Sequence, residues 1–377
     1  MVYNIGMPKN DPILSVLKIY LSKEFSLLRP CNVLLLGTAE NKVLPYLSGL
    51  LQLAHIWVTD ITYSSVIQTV NDALTMDRNS IHVFPDLSNP DAYLDNPPAR
   101  PFDSVLLVLP KGRKVARRWL LQSHQCLGEN GLLYLVGTND EGVQSVAKDA
   151  ADLFGSADML GYKQGARLYR AEKKNSVVRL HDWTHQPGIA PGTWNEFQVD
   201  MRGFSFTIHT LPGVFSFDHL DEGTQMLLEC MQVPSNGKVL DIGCGCGIIG
   251  ILAAHLGAGH VDLADDHLLS VSSALENLKI NGISSARVYA SDLYVNLPDV
   301  KYDAIFSNPP FHSGKEVNYQ ITNALIAGGY AKLKPGGSLV IVTNRFIRYD
   351  RLMNQIFNNV STLQENQRFH ILSSQKL

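Results

Sequence analysis

The chain has 377 residues, 45% of them hydrophobic and 18% charged, a soluble globular composition with enough length for two cores. No apolar run approaches the roughly 18 residues of a membrane-spanning helix. The opening stretch MVYNIGMPKNDPILSVLKIYLSKEF lacks the basic, apolar and small-residue succession of a secretory signal, so the cytoplasm is the expected compartment. With 32 Lys and Arg against 35 Asp and Glu the net charge is −3. The chain is no polycation, and any nucleic-acid surface has to be local.

In chain order, the first half presents four apolar runs: NVLLLGTAENKV, IWVTDIT, FDSVLLVLP and LGENGLLYLVGTND. The second half presents four in the same succession: KVLDIGCGCGII, VDLADDH, YDAIFSNPPF and LKPGGSLVIVTNRF. Each series opens on an apolar run that ends in glycine. An aspartate closes the next run, Gly37 being followed by Asp60 and Gly243 by Asp265. Continuous apolar runs separated by helical stretches predict parallel strands buried on both faces. The fold class is therefore α/β, with two tandem doubly wound Rossmann-like domains produced by duplication.

The copies are unequal. Asp241-Ile-Gly243-Cys-Gly245-Cys-Gly247 in the second corresponds to Leu35-Leu36-Gly37-Thr38-Ala39-Glu40 in the first, and Ser307-Asn308-Pro309-Pro310-Phe311 corresponds to Leu107-Val108-Leu109-Pro110-Lys111. The first domain, residues 1–180, is expected to be a degenerate scaffold, and residues 181–377 the active domain. The Pro- and Gly-rich chain around His181, Trp183, Pro187-Gly188 and Pro191-Gly192 marks the junction. The stretch EFQVDMRGFSFTIHTLPGVFS after it reads as a hairpin.

Behind the first domain's Pro110 stand Lys111, Arg113, Lys114, Arg117 and Arg118. On a helix Arg113/Arg117 and Lys114/Arg118 are i,i+4 pairs, so four charges would share one face while Val115 and Trp119 turn inward. This face is either a solvated helix surface or a contact for RNA phosphates. Lys163, Arg167, Arg170, Lys173 and Lys174 form a looser group along a strand.

In the second domain, KVLDIGCGCGIIGILAAHLGA reads as strand, glycine turn and helix. Its glycine spacing is not that of the dinucleotide turn, which delivers a pyrophosphate to a helix N-terminus. Asp241 before the turn would repel phosphate and suits a cation such as S-adenosylmethionine, which carries an ammonium and a sulfonium. Asp265 at the next strand end can accept ribose hydroxyls, with Asp266 as its neighbour, and Asp292 after the following run can meet an adenine amino group. Cys31, Cys126, Cys230, Cys244 and Cys246 are few and scattered. Cys244 and Cys246 lack a second pair at zinc spacing, so small side chains in a tight turn, with no metal, is the reading.

Asn308-Pro309-Pro310-Phe311 follows a buried strand at the edge where open α/β sheets bind ligands. A base amine is a poor nucleophile, because its lone pair is delocalised into the ring. The Asn308 side-chain oxygen and the Pro309 carbonyl can accept its two N–H bonds and so favour a pyramidal nitrogen. Phe311 can stack on the base. Catalysis would rest on positioning and electrostatics.

These residues resemble the methyltransferase small-domain family, and the whole chain resembles ribosomal RNA (guanine-N2)-methyltransferases of the RsmC/RlmG type. The matching features are Val214-Phe215-Ser216, Leu220-Asp221-Glu-Gly223-Thr224, DIGCGCG, Asp265, SNPPFHSG and VTNRF. The resemblance implies a decayed first domain that helps recognise RNA and a second that modifies guanine N2. It places Phe215 and Asp221 over the cofactor and the mouth of the pocket, and His312 beside the target base. Two departures stand out: Phe217 where the family commonly has Arg, and His370 where relatives often have Lys. Ribosomal RNA or a ribosomal subunit is the expected partner and a monomer the expected state. The alternatives are methylation of adenine N6 or of a protein glutamine, and a non-catalytic RNA-binding or assembly factor.

Overall fold

The computed structural model describes residues 11–25, 31–38, 42–51, 54–75, 81–83, 101–174, 181–310 and 319–377. Two compact units run Met1–Thr193 and Trp194–Leu377.

The strands of the first unit are β1 (Asn32–Leu36), β2 (His55–Thr59), β3 (Ile81–Val83), β4 (Phe102–Val108), β5 (Leu127–Thr138), β6 (Asp158–Lys163) and β7 (Ala166–Glu172). They form one sheet in the order β3-β2-β1-β4-β5-β7-β6, parallel except that β7 runs antiparallel between β5 and β6. All five residues of β1 are buried, and the pleat sends them to two cores. Leu34 and Leu36 join Val105 and Leu107 of β4 on one face, while Val33 and Leu35 join Leu106 and Val108 on the other. This is why the strand reads as an unbroken apolar run.

Two helices cover the first of these faces, α1 (Arg113–Cys126) and α2 (Val143–Phe154). Here the structure corrects the picture of a four-charge face. Arg113 and Arg117 both clasp the buried carboxylate of Asp149 on α2, each with Nε at 2.8–3.0 Å and Nη2 at 2.8 Å. Burial raises the Asp149 carboxyl, but the two guanidiniums overcome that and hold it below its usual range. Arg118 is 2% exposed and donates from Nη1 to the Gly188 carbonyl at 2.8 Å. The i,i+4 spacing does set neighbours on one face, but for Arg113 and Arg117 that face meets α2, and for Arg118 the chain around residue 188. Lys111 and Lys114 remain exposed. In the looser basic group, Arg170 pairs with Glu24 at 3.0 Å and Lys173 donates to the Leu127 carbonyl at 2.6 Å. The Gly188 contact, together with Trp183 in the core, packs the segment 181–193 with the first unit.

The second unit opens with the expected hairpin, β8 (Asn195–Met201) against β9 (Phe204–Thr210). The strands β10 (Lys238–Ile242), β11 (His260–Asp265), β12 (Ala286–Ala290), β13 (Tyr302–Ser307), β14 (Leu333–Asn344), β15 (Ser361–Glu365) and β16 (Phe369–Gln375) repeat the first sheet in the order β12-β11-β10-β13-β14-β16-β15. Strand order reverses between β10 and β13, so the carboxyl ends of these two strands flank the crevice where open sheets bind ligands.

Candidate active site

The Ser307 hydroxyl, fully buried at the end of β13, donates to the Ile242 carbonyl at the end of β10 over 2.7 Å. This bond fixes the two strand ends that carry the glycine turn and Asn308. Gly243, Gly245 and Gly247 hold φ of +70°, +55° and +85°, values that side chains rarely adopt. A Cβ on Gly245 would meet nothing within 4 Å, so its bare backbone faces open space where a ligand can lie. Gly247 caps α3 (Ile248–His255).

Around this turn stand the predicted carboxylates. Asp241 is 0% exposed. Its Oδ2 accepts from Gly250 N at 3.0 Å, whereas its buried Oδ1 accepts from no described residue. Burial, with a smaller push from Asp265, raises its carboxyl to about 7. Asp265 accepts from Gly245 N on Oδ2 and from His267 N on Oδ1, both at 2.8 Å. Burial raises it to about 6 against these bonds. A carboxylate has about four lone-pair sites, so each oxygen of Asp265 keeps one for a diol. Asp266 is half-buried beside it, and exposed Asp292 stands one residue past Ser291, whose N donates to the Asp265 carbonyl at 3.0 Å. Cys244 and Cys246 are buried, and burial pushes both thiols up. Among the described residues no three His, Cys, Asp or Glu side chains form a metal-holding cluster.

Asn308 completes the crevice. Its Nδ2 donates to Thr224 Oγ1 at 2.8 Å and to Asp221 Oδ2 at 3.2 Å. Its Oδ1 is buried and accepts from no described residue. The two acceptors therefore fix the orientation of the amide and leave Oδ1 as its open acceptor. Asp221 caps α4 (Glu222–Cys230) through Thr224 N at 3.0 Å, so it sits behind Asn308 and orients it. Thr224 stands in the sequence reading only as part of the signature Asp221-Glu-Gly-Thr224, which looks like a helix start, and its bond to Asn308 escaped that reading. Phe215 is 56% exposed between buried Val214 and half-buried Ser216. Phe217 is half-buried, and its carbonyl accepts from Asn195 Nδ2 at 2.8 Å. His370 lies 3.3 Å from Glu365. Pro309 is buried, and Phe311 and His312 lie outside the described residues.

The first unit shows what this arrangement lost. Leu35 takes the place of Asp241, and Asp60 retains the place of Asp265. Thr38 gives both N (2.9 Å) and Oγ1 (2.6 Å) to Asp60 Oδ2, and Ile61 N gives 2.6 Å to Oδ1. A cavity of about 430 Å³ persists at this edge, lined among others by Thr38, Asp60, Lys111 and Glu141, without an acid beneath the turn.

A doubled seven-stranded sheet with one intact copy, glycine turn, acidic strand ends and Asn-Pro-Pro edge define a methyltransferase. Residues 205–373 match the model of the methyltransferase small domain, and residues 20–186 that of the methyltransferase small domain N-terminal region. Ribosomal RNA small subunit methyltransferase C of Aliivibrio salmonicida (strain LFI1238) is 32% identical over 278 residues, 73% of this chain and 78% of the relative. The Hahella chejuensis (strain KCTC 2396) protein of the same description is 34% identical over 282 residues, 72% and 76%. A T. thermophilus 16S rRNA N2 methyltransferase (RsmC), solved with AdoMet and guanosine, superposes with a TM-score of 0.77 at 25% identity, covering 98% of this chain and 93% of that one. The chain belongs to the ribosomal RNA small subunit methyltransferase C family.

Proposed function

We propose that the second unit transfers a methyl group from S-adenosylmethionine to the exocyclic N2 of a guanine in small-subunit ribosomal RNA. The observation that carries this reading is Asn308, which follows the strand end that Ser307 ties to Ile242 before the glycine turn. Its buried amide oxygen is left without a partner among the described residues while Thr224 and Asp221 hold its nitrogen. The relatives' descriptions supply the substrate.

The residues fit the cofactor. Asp241 Oδ1 is a buried acceptor suited to an ammonium, Asp265 keeps acceptor sites for ribose hydroxyls, and Gly245 leaves space for the ligand. Asp292 would meet the adenine amine, and Phe215 would cover the site. When bound, the cofactor supplies an electrophilic methyl on a sulfonium. The chain's part is alignment: Asn308 Oδ1 and the Pro309 carbonyl accept the two N–H bonds of the base amine, and Phe311 stacks on the ring, with His312 beside it. A neutral amide neither takes nor gives a proton, so Asn308 acts by holding geometry and by stabilising the positive charge that develops on nitrogen. The amine's surplus proton leaves to water.

The first unit, with its cofactor acids replaced or engaged, would serve RNA recognition, for which Lys111 and Lys114 are the exposed candidates and Arg113, Arg117 and Arg118 are structural. The reading includes the cytoplasm as compartment and a monomer as the acting state, each chain holding one complete site of its own. No described helix is long and apolar enough to cross a membrane. The test is transfer of labelled methyl to small ribosomal subunits lacking the modification. N2-methylguanosine formed by the wild type and lost in Asn308→Ala supports the assignment; label in adenine or in protein would replace it.

A further inference from the structure

The turn after β14 belongs to the VTNRF signature, and neither cofactor binding nor amine alignment uses it. Phe346 is 85% exposed there. A lone exposed phenylalanine is ordinary on a protein surface, but this one is held out by its backbone. Phe346 N donates to Asn344 Oδ1 at 3.1 Å and Ile347 N to the Asn344 carbonyl at 2.9 Å. Ile347 and Tyr349 immediately after it are 7% and 1% exposed, so the ring projects from a turn anchored on both sides.

Three arginines surround it, and of these Arg345 has no carboxylate partner among the described residues. Arg345 N donates to the Arg368 carbonyl at 2.8 Å, and Arg345 Nη1 rests on the Asn366 carbonyl at 3.3 Å, a neutral acceptor that leaves its charge in place. Arg348 pairs with Asp350 at 2.9 Å and Arg368 with Glu222 at 3.0 Å. The turn is also tied to the catalytic edge. β14 pairs with β13 and runs on past the level of Ser307. The start of α4 packs against its end, where a Cβ on Gly223 would stand 2.8 Å from Val342 Cγ1 and 3.3 Å from Phe369 Cδ1. Glu222, which receives Arg368, follows Asp221, which orients Asn308.

We propose that Phe346, flanked by Arg345, is a stacking platform for an unpaired nucleotide of the RNA next to the target guanine. Unstacked bases find aromatic rings and guanidinium planes as their partners in sequence-tolerant RNA recognition, and the flanking cation answers the phosphate. The proposal rests on the reading that RNA is the substrate.

The experiment measures steady-state methylation of unmodified small ribosomal subunits by wild type, Phe346→Ala and Phe346→Trp, with calorimetric S-adenosylmethionine affinity as the check on folding. Loss of one stacked base raises KM for subunits by about fivefold or more in Phe346→Ala, while Phe346→Trp keeps it near wild type and cofactor affinity stays level. Irradiation of subunits carrying 4-thiouridine should then join a peptide containing Phe346 to ribosomal RNA. An unchanged KM in Phe346→Ala, or irradiation that joins no peptide of this turn to ribosomal RNA, overturns the platform. A wild type that methylates no RNA overturns the functional reading instead.

Discussion

Replacing Thr224 by valine removes one oxygen and keeps the shape of the side chain, which makes it a sharp probe of how Asn308 is aimed. In the wild type, Nδ2 has a short acceptor in Thr224 Oγ1 at 2.8 Å and a longer one in Asp221 Oδ2 at 3.2 Å. Thr224→Val leaves only the longer bond, and the amide can swing or turn over, which on the proposed mechanism withdraws Oδ1 from the amine. The lost bond costs about 1 kcal/mol of stability. The larger effect is on alignment, because a displacement of about 1 Å at a reacting centre costs on the order of a hundredfold in rate. We therefore expect kcat to fall about tenfold to a hundredfold, or about 1.4 to 2.7 kcal/mol of barrier. KM for S-adenosylmethionine should stay within a factor of about two, since the Thr224 side chain bonds Asn308 and Asp221 and not the acids proposed to hold the cofactor. Labelled-methyl kinetics on small subunits give both constants, and Thr224→Ser, which restores the hydroxyl, should recover most of the rate. If Thr224→Val turned over at the wild-type rate while Asn308→Ala was inactive, orientation by the Thr224 hydroxyl would play no part.

Further outcomes follow from the carboxylates. The Asp241 carboxyl, raised to about 7 by burial, is partly protonated in the free protein near neutrality, and a cationic ligand favours its ionised form. Cofactor affinity should therefore rise between about pH 5.5 and 7.5 with release of a proton on binding, seen by calorimetry in buffers of different ionisation enthalpy; equal affinity at both ends would refute this. A raised folded pKa also means that Asp241 favours the free folded state below the ordinary carboxylate range, and that this contribution is lost as pH rises through 7. Asp241→Asn should weaken cofactor binding at least tenfold and flatten that pH profile, whereas Asp60→Asn should leave a stoichiometry of one cofactor per chain untouched. Arg118→Met removes the donor to the Gly188 carbonyl. It should lower thermal stability, at a cost of about 1–3 kcal/mol, while the salt dependence of RNA binding stays as in wild type; a slope reduced by about one would return Arg118 to the RNA surface.

The scaffold was legible because buried parallel strands leave a periodicity of their own. Each apolar run, from Val33–Leu36 to Leu339–Val342, feeds two faces at once and cannot alternate with polar residues. The glycine turn was legible because few other residues tolerate its positive φ angles, and the asparagine-proline edge because prolines end a strand. What escaped was whatever depends on residues distant in the chain. Thr224 lies 84 positions from Asn308 and looks like ordinary helix-start chemistry. Helical spacing grouped Arg113, Arg117 and Arg118 correctly relative to one another but could not reveal Asp149, 36 and 32 positions further on, or Gly188. The antiparallel insertion of the last strand between the fifth and sixth is a long-range pairing that local patterns do not encode.

The bond from the Thr38 hydroxyl to Asp60 gives the two halves different dependence on metabolite supply. In the first unit a side chain of the chain itself fills an acceptor site that its counterpart Asp265 leaves open, so Asp60 has one site fewer to offer at any cofactor concentration. The second unit keeps an acceptor at Asp241 with no protein partner among the described residues, and its folding equilibrium gains RT ln(1 + [L]/Kd) as cofactor rises. Nutrient starvation would thus lower the stability of the second half and leave that of its decayed twin unchanged, so that in a cell depleted of S-adenosylmethionine susceptibility to proteolysis should rise in the half that retains the chemistry.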